Sequence, residues 1–159
     1  NRESLHTKRN FSLIIKRIKK MKYGSLILEK KEYVYLKRIL NISGYAEDHE
    51  VQRCLMKLSE ELKTAHIVDE DEMPYDIIRF NSKVTVAFNN GIEETVQVVI
   101  PMDRDVKTKK ISVLTPMGSA LFGYSEGDTV LWDFPNGKQQ IKIVEVKQEE
   151  SYKGMDIAI

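Results

Sequence analysis

The sequence predicts an α+β fold: a short antiparallel helical hairpin, then a small antiparallel sheet with one helix packed on it. Three observations carry that prediction. Apolar residues recur at steps of three and four across residues 31–65. From Val84 onward the apolar period drops to two. Between two alternating runs lies "TPMGSALFG", residues 115–123, with proline near its start and glycine at its end. That order suits a capped helix.

The elements follow in chain order. Residues 25–28 read as a short extended piece. Residues 31–41 read as a helix with Tyr33, Leu36 and Leu40 on one face. "ISGY" stops it, with Gly44 as the C-terminal signal. Asp48 is an N-cap for a second helix over residues 48–65. There Val51, Leu55, Leu58, Leu62 and Ala65 form a seam. The two helices would be about 17 and 27 Å long at 1.5 Å per residue, turning near residues 44–47. "DEDE", residues 69–72, then Met73-Pro74, reads as a solvated linker.

Val84, Val86 and Phe88 alternate, "NNG" turns the chain, and Val96, Val98 and Ile100 alternate again. Residues 101–110 form a polar loop, and Ile111 and Val113 restart a strand. Thr115 is the next N-cap, Pro116 sits at N1, and Gly123 closes the helix. Met117, Ala120 and Leu121 give its apolar face, while the small Gly118, Ser119 and Ala120 let it approach a sheet closely. "SEGD" makes a turn, Val130, Trp132 and Phe134 alternate, and "PNG" leads into residues 138–147. In that last strand Ile141 and Ile143 occupy one phase, Val144 and Val146 the other. Either both faces are buried or a bulge shifts the phase. From Gln148 the chain reads as polar and loosely held until Ile157.

Composition bounds the function. At 159 residues and 42% hydrophobic, the chain supports one ordinary core with a small second module. The single cysteine, Cys54, allows no internal disulfide and fits a reducing, cytoplasmic compartment. No apolar run reaches the roughly 18 residues of a membrane span. Residues 1–20 hold seven basic side chains against one acid, so the remainder carries −5 of a net +1. An acidic body gives no case for tight non-specific DNA binding. Met21, after the basic block, is the expected natural start, with residues 1–20 a basic leader not native to the protein. The rival reading of "FSLIIKRIKK" is an amphipathic arm for a membrane surface or acidic partner.

The search for chemistry is mostly negative. His6, His49 and His66 have no metal-ligand spacing with Cys54 or one another. There is no glycine-rich phosphate loop and no nucleophile elbow. The expectation is therefore no enzyme activity, cofactor or metal. Two features remain: the hairpin tip with Glu47, Asp48 and Glu50, and the unit over residues 115–123. Acids at the tip compensate the helix dipole on the structural reading. On the functional reading they offer carboxylates to a metal held by another protein.

Two stretches settle a family likeness. "DEMPYDIIRFNSKVTV" followed by "ISVLTPMGSALFGYSEGDTVLWDFPNG" resembles the C-terminal domain of the GreA/GreB transcript-cleavage factors, and most the regulator of nucleoside diphosphate kinase (Rnk) subgroup. The likeness divides the chain into the leader (1–20), a helical hairpin (21–72), a GreA/GreB C-terminal domain (73–148) and a tail (149–159). It implies an FKBP-like domain docking on bacterial RNA polymerase at the rim of its secondary channel, with a coiled coil projecting from that dock. In the Gre factors two acidic residues at the coil tip help hold the second catalytic magnesium.

Here the arms are short, so Glu47, Asp48 and Glu50 would stay outside the catalytic centre. A carboxylate further than about 2–2.5 Å from an ion is no ligand. The expected function is polymerase binding without cleavage, as a monomer or weak oligomer with no sequence-specific nucleic-acid or membrane contact. Docking residues are expected at the exposed start of the short helix, Thr115, Pro116 and Met117, with Asp103 and Asp105 in the preceding loop as weaker candidates. The alternatives are a cleavage factor using Glu47 and Asp48, and an interaction module linked to nucleotide metabolism. Prolyl isomerisation is a weaker rival, because Phe80, Phe88, Phe122, Trp132 and Phe134 are expected in the core.

Overall fold

Short strand β1 (Ile27–Glu29) runs straight into helix α1 (Lys30–Ser43), and helix α2 (His49–Leu62) follows. The computed structural model describes residues 21–43, 48–134 and 137–149, with Ser43, Trp132, Asp133 and Phe134 described by backbone alone. The leader, the turn at 44–47 with Glu47, and residues 150–159 lie outside the described residues. So do the side chains of Trp132 and Phe134, and with them their expected place in the core.

The buried faces of the two helices are the expected ones, but α2 rests more on the short helix over residues 116–121 than on α1. Leu36 and Leu40 of α1 are buried, as are Leu55, Leu58 and Leu62 of α2. The second helix ends earlier than its pattern, at Leu62 rather than Ala65. Its last turn tightens into i→i+3 hydrogen bonds through Lys63, Thr64 and Ala65. Strand β2 (His66–Val68) then pairs in parallel with β1, a contact three residues long that no local pattern signals. Each helix has 14 residues, so α1 and α2 are about 21 Å long.

The acidic linker is solvated as expected, Glu70 included, but it is not without structure. Asp69, Asp71 and Glu72 are exposed, but Glu70–Glu72 forms a 3₁₀ turn and Glu70 pairs with Arg79. After it come β3 (Lys83–Ala87), β4 (Glu93–Val99), β5 (Lys110–Ser112), helix α3 (Pro116–Leu121), β6 (Thr129–Phe134) and β7 (Gly137–Lys147). The sheet order is β5-β4-β3-β7-β6.

The α+β class holds, and three of the four pairings are antiparallel. The expected all-antiparallel sheet needs one correction: β5 joins β4 in parallel, with Gln97 opposite Lys110. The loop between them makes a 3₁₀ turn at Pro101–Asp103 and is pinched by the Asp105–Lys110 bridge. It returns the chain to the level of Gln97, so β5 starts there and runs the same way. The phase conflict in β7 is resolved by a bulge. Thr85 faces Glu145 but Val86 faces Ile143, leaving Val144 as the extra residue. Val144 is exposed, while Ile141, Ile143 and Val146 are buried.

The helices and the sheet share one core. Phe80 links them: Tyr35 of α1 meets its ring edge-on at 5.7 Å, and Phe122 tilts against it at 4.6 Å. Polar ties cross the same joint. Glu32 of α1, 1% exposed at its side chain, accepts from Arg79 Nε at 2.7 Å and from the Phe80 amide at 3.1 Å. Tyr124 donates to Glu61 of α2 at 2.8 Å. Asp128 accepts from the Lys22 amide and from the amide and hydroxyl of Ser125. Lys22 Nζ and the Tyr23 hydroxyl both bond Asp76. Burial works against charge on Asp76, but those two hydrogen bonds outweigh it and hold the carboxyl below its ordinary range.

The start of the tail is not loose. Gln148 Oε1 accepts from Ser82 at 2.6 Å, its amide donates to the Tyr75 and Ile77 carbonyls, and Glu149 pairs with Lys83. No helix among the described residues is long and apolar enough to cross a membrane.

Candidate functional site

The start of α3 is built as its sequence demands. Thr115 Oγ1 accepts from the Gly118 amide at 3.0 Å and donates to the Ser112 carbonyl at 2.7 Å. Pro116 occupies the first turn, where an amide would find no partner. Gly118 sits where a Cβ would lie 2.2 Å from the Ser112 carbonyl oxygen, so helix and strand β5 touch backbone to backbone. Gly123 takes φ +84° and closes the helix.

Exposure divides the expected docking residues. Thr115, Pro116 and Met117 are all half-buried. Thr115 spends its hydroxyl on the cap, and Met117 packs on the core. Pro116 faces outward into a shallow groove between α2 and α3 that also holds Glu50, Arg53, Cys54 and Lys57. The structure therefore brings Glu50 and Pro116 together. The groove encloses about 30 Å³, room for about one water and no small-molecule ligand. Cys54 is a half-buried groove wall.

Asp48 is exposed, and its Oδ1 accepts from the amides of Glu50 at 2.9 Å and Val51 at 3.5 Å. Capping is what it does here. Asp48→Ala is expected to cost about 1 kcal/mol, and Asp48→Asn almost nothing, in urea unfolding midpoints.

Asp103 and Asp105 do not join the groove. They stand exposed on the 101–109 loop. Asp105 Oδ1 accepts from the Lys107 amide at 3.1 Å. Burial, and after it the charge of Asp103, pushes the Tyr35 phenol of α1 up. The same loop carries Met102 and Val106, 89% and 85% exposed. Sequence reading passed over these two. Apolar residues inside an otherwise polar loop were the available signal.

Two carboxylate groups bring ligand atoms within 4.8 Å of one another: Glu29, Glu32 and Glu70, and the exposed Asp69, Asp71 and Glu72. In the first, the Arg79 guanidinium already supplies the cation. Arg79 could have been noticed too. An arginine inside "DIIRF" is a charge in an apolar run, and buried charge demands a partner. A larger cavity of about 420 Å³ lies between Tyr75, Arg79 and Gln148.

Comparison with known proteins adds a family. Residues 71–148 match the model described as transcription elongation factor, GreA/GreB, C-terminal. A transcription elongation factor GreA of Christiangramia forsetii is 31% identical over 96 residues, covering 60% of this chain and 61% of its own. The regulator of nucleoside diphosphate kinase of Escherichia coli is 31% identical over 101 residues, covering 61% of this chain and 73% of its own. A solved structure, the prokaryotic transcription elongation factor GreA/GreB from Nitrosomonas europaea, aligns over 77% of this chain and 98% of that one. It has 30% identity and a TM-score of 0.62. The matched region spans about three fifths of the length of the GreA relatives.

Proposed function

The chain belongs to the GreA/GreB transcription elongation factor family, and from that membership we propose that it binds bacterial RNA polymerase at the rim of the secondary channel and regulates transcription without stimulating transcript cleavage. The protein contributes no catalytic group of its own on this reading. It acts by occupying the channel mouth.

The observation that carries the reading is helix length. Arms of about 21 Å whose bases are sunk in the sheet's core offer little reach. Asp48 is spent on capping its own helix, which leaves it poorly placed as a ligand for a distant ion. The groove joining Glu50 to Pro116 supports a dock that uses the α3 start and the helix pair together.

Core polymerase should co-purify with the wild-type chain, and Pro116→Asp should weaken capture by about tenfold, in line with charging one central contact. In stalled elongation complexes the chain should leave the transcript uncut. Robust cleavage, lost on Glu47→Ala plus Asp48→Ala, would refute the cleavage-free reading. A second reading has one specific support: the relative named as a regulator of nucleoside diphosphate kinase is covered over 73% of its length. Direct binding to that kinase, with none to polymerase, would favour it.

A further inference from the structure

We propose that Arg79 is a positioning residue: its guanidinium fixes the direction in which the α1–α2 pair leaves the sheet, so that the α2 start and the α3 start present to one partner in a single register. The proposal rests on the docking reading above and adds the device that sets its geometry.

Arg79 ties three separate segments. Nε donates to Glu32 Oε1, in the first turn of α1, at 2.7 Å. Nη1 donates to Glu70 Oε1, in the turn after β2, at 3.2 Å, and Nη2 also reaches Glu70. Its own backbone leads into β3, and its amide donates to Ser82 Oγ at 2.8 Å. The next amide, of Phe80, holds the second oxygen of Glu32. The Arg79 side chain is 8% exposed, so this fork works in a largely dry joint.

The apolar part of the joint sets the direction only coarsely. Packing such as Tyr35 edge-on to Phe80 has a preferred angle, but helix packing leaves a scatter of about 15–20° around it. The guanidinium hydrogen bonds narrow it, because a planar fork meets carboxylates in fixed geometry. Replacing a buried ion pair by apolar residues is often neutral for stability, and a best-attested use of such pairs is to select one arrangement. The lever is long enough to matter. A tilt of about 10° at the base moves the far end of a 21 Å helix by about 4 Å, more than a hydrogen bond tolerates.

The test uses the full chain with Cys54→Ser and nitroxides at Met56 and Val106, both strongly exposed. Pulsed electron resonance reads the distance between them. The wild-type joint should give a narrow distribution. Glu32→Leu with Arg79→Met, which keeps the joint apolar, should stay folded by near-ultraviolet dichroism yet give a distribution roughly twice as wide. Arg79→Lys, a point charge without the fork, should widen it as well. Polymerase affinity should fall about tenfold in both variants, as pre-alignment of the second contact is lost.

Unchanged width in Arg79→Lys would overturn the proposal, whether or not the double variant folds. Wide distributions with undiminished affinity would overturn the link between direction and docking. A wild-type chain with no affinity for polymerase would refute the docking reading and leave the widths to decide the orientation.

Discussion

Gly118→Ala is expected to destabilise the protein by about 3 kcal/mol, although alanine favours a helix over glycine by about 1 kcal/mol. The added Cβ would lie 2.2 Å from the Ser112 carbonyl oxygen and 3.0 Å from its carbon, both backbone atoms of β5. It would also lie 3.0 Å from Thr115 Oγ1, the oxygen that caps the helix. Neither side can turn away, so α3 must lift off the strand by about the overlap. Lifting it strains the cap and unseats Leu121, which is fully buried. Urea unfolding should show a lower midpoint at unchanged slope. Stability equal to wild type would mean that α3 does not rest on β5 as described.

Glu32→Ala should cost about as much or more, roughly 3–5 kcal/mol, for an electrostatic reason. It removes a carboxylate whose two oxygens serve Arg79 and the Phe80 amide. The guanidinium, 8% exposed, then loses its buried carboxylate and keeps Glu70, whose own side chain is 55% exposed. The Phe80 amide is left without that acceptor in a buried place. Glu70→Ala is the control, because an ion pair with one exposed partner contributes about 0–1 kcal/mol. If the two substitutions cost the same in urea unfolding, the network is not the dry one the geometry describes.

The two results bear on function in different ways. Gly118→Ala disturbs the α3 start, where Pro116 meets the groove. Glu32→Ala leaves that surface intact and loosens the helices beside it. On the proposed docking reading each should weaken polymerase capture, the first through the contact and the second through its alignment.

Much of this was legible in the residues. Thr115, Pro116 and Gly123 marked both ends of α3, because a cap, a first-turn proline and a left-handed glycine are local demands. Asp48 marked its own helix start for the same reason. The Ile141, Ile143 and Val144, Val146 conflict announced that something irregular sat in β7, though not which of two solutions. What stayed hidden was contact between distant segments. Strand β2, the parallel seat of β5, and the bonds of Gln148 each depend on what lies across the gap. The grouping of the expected docking and tip residues is of this kind too: Glu50 comes beside Pro116, while Asp103 and Asp105 stay on the 101–109 loop.

By itself, then, the sequence determined most of the elements, their caps and the family, since period, capping chemistry and short motifs are properties of neighbouring residues. Only the tertiary structure decided how the helix pair is seated on the sheet, through Arg79, Glu32, Glu61 and Tyr124. Those four are spread from the first helix to the loop after α3, and a buried charge names its need for a partner but not the partner.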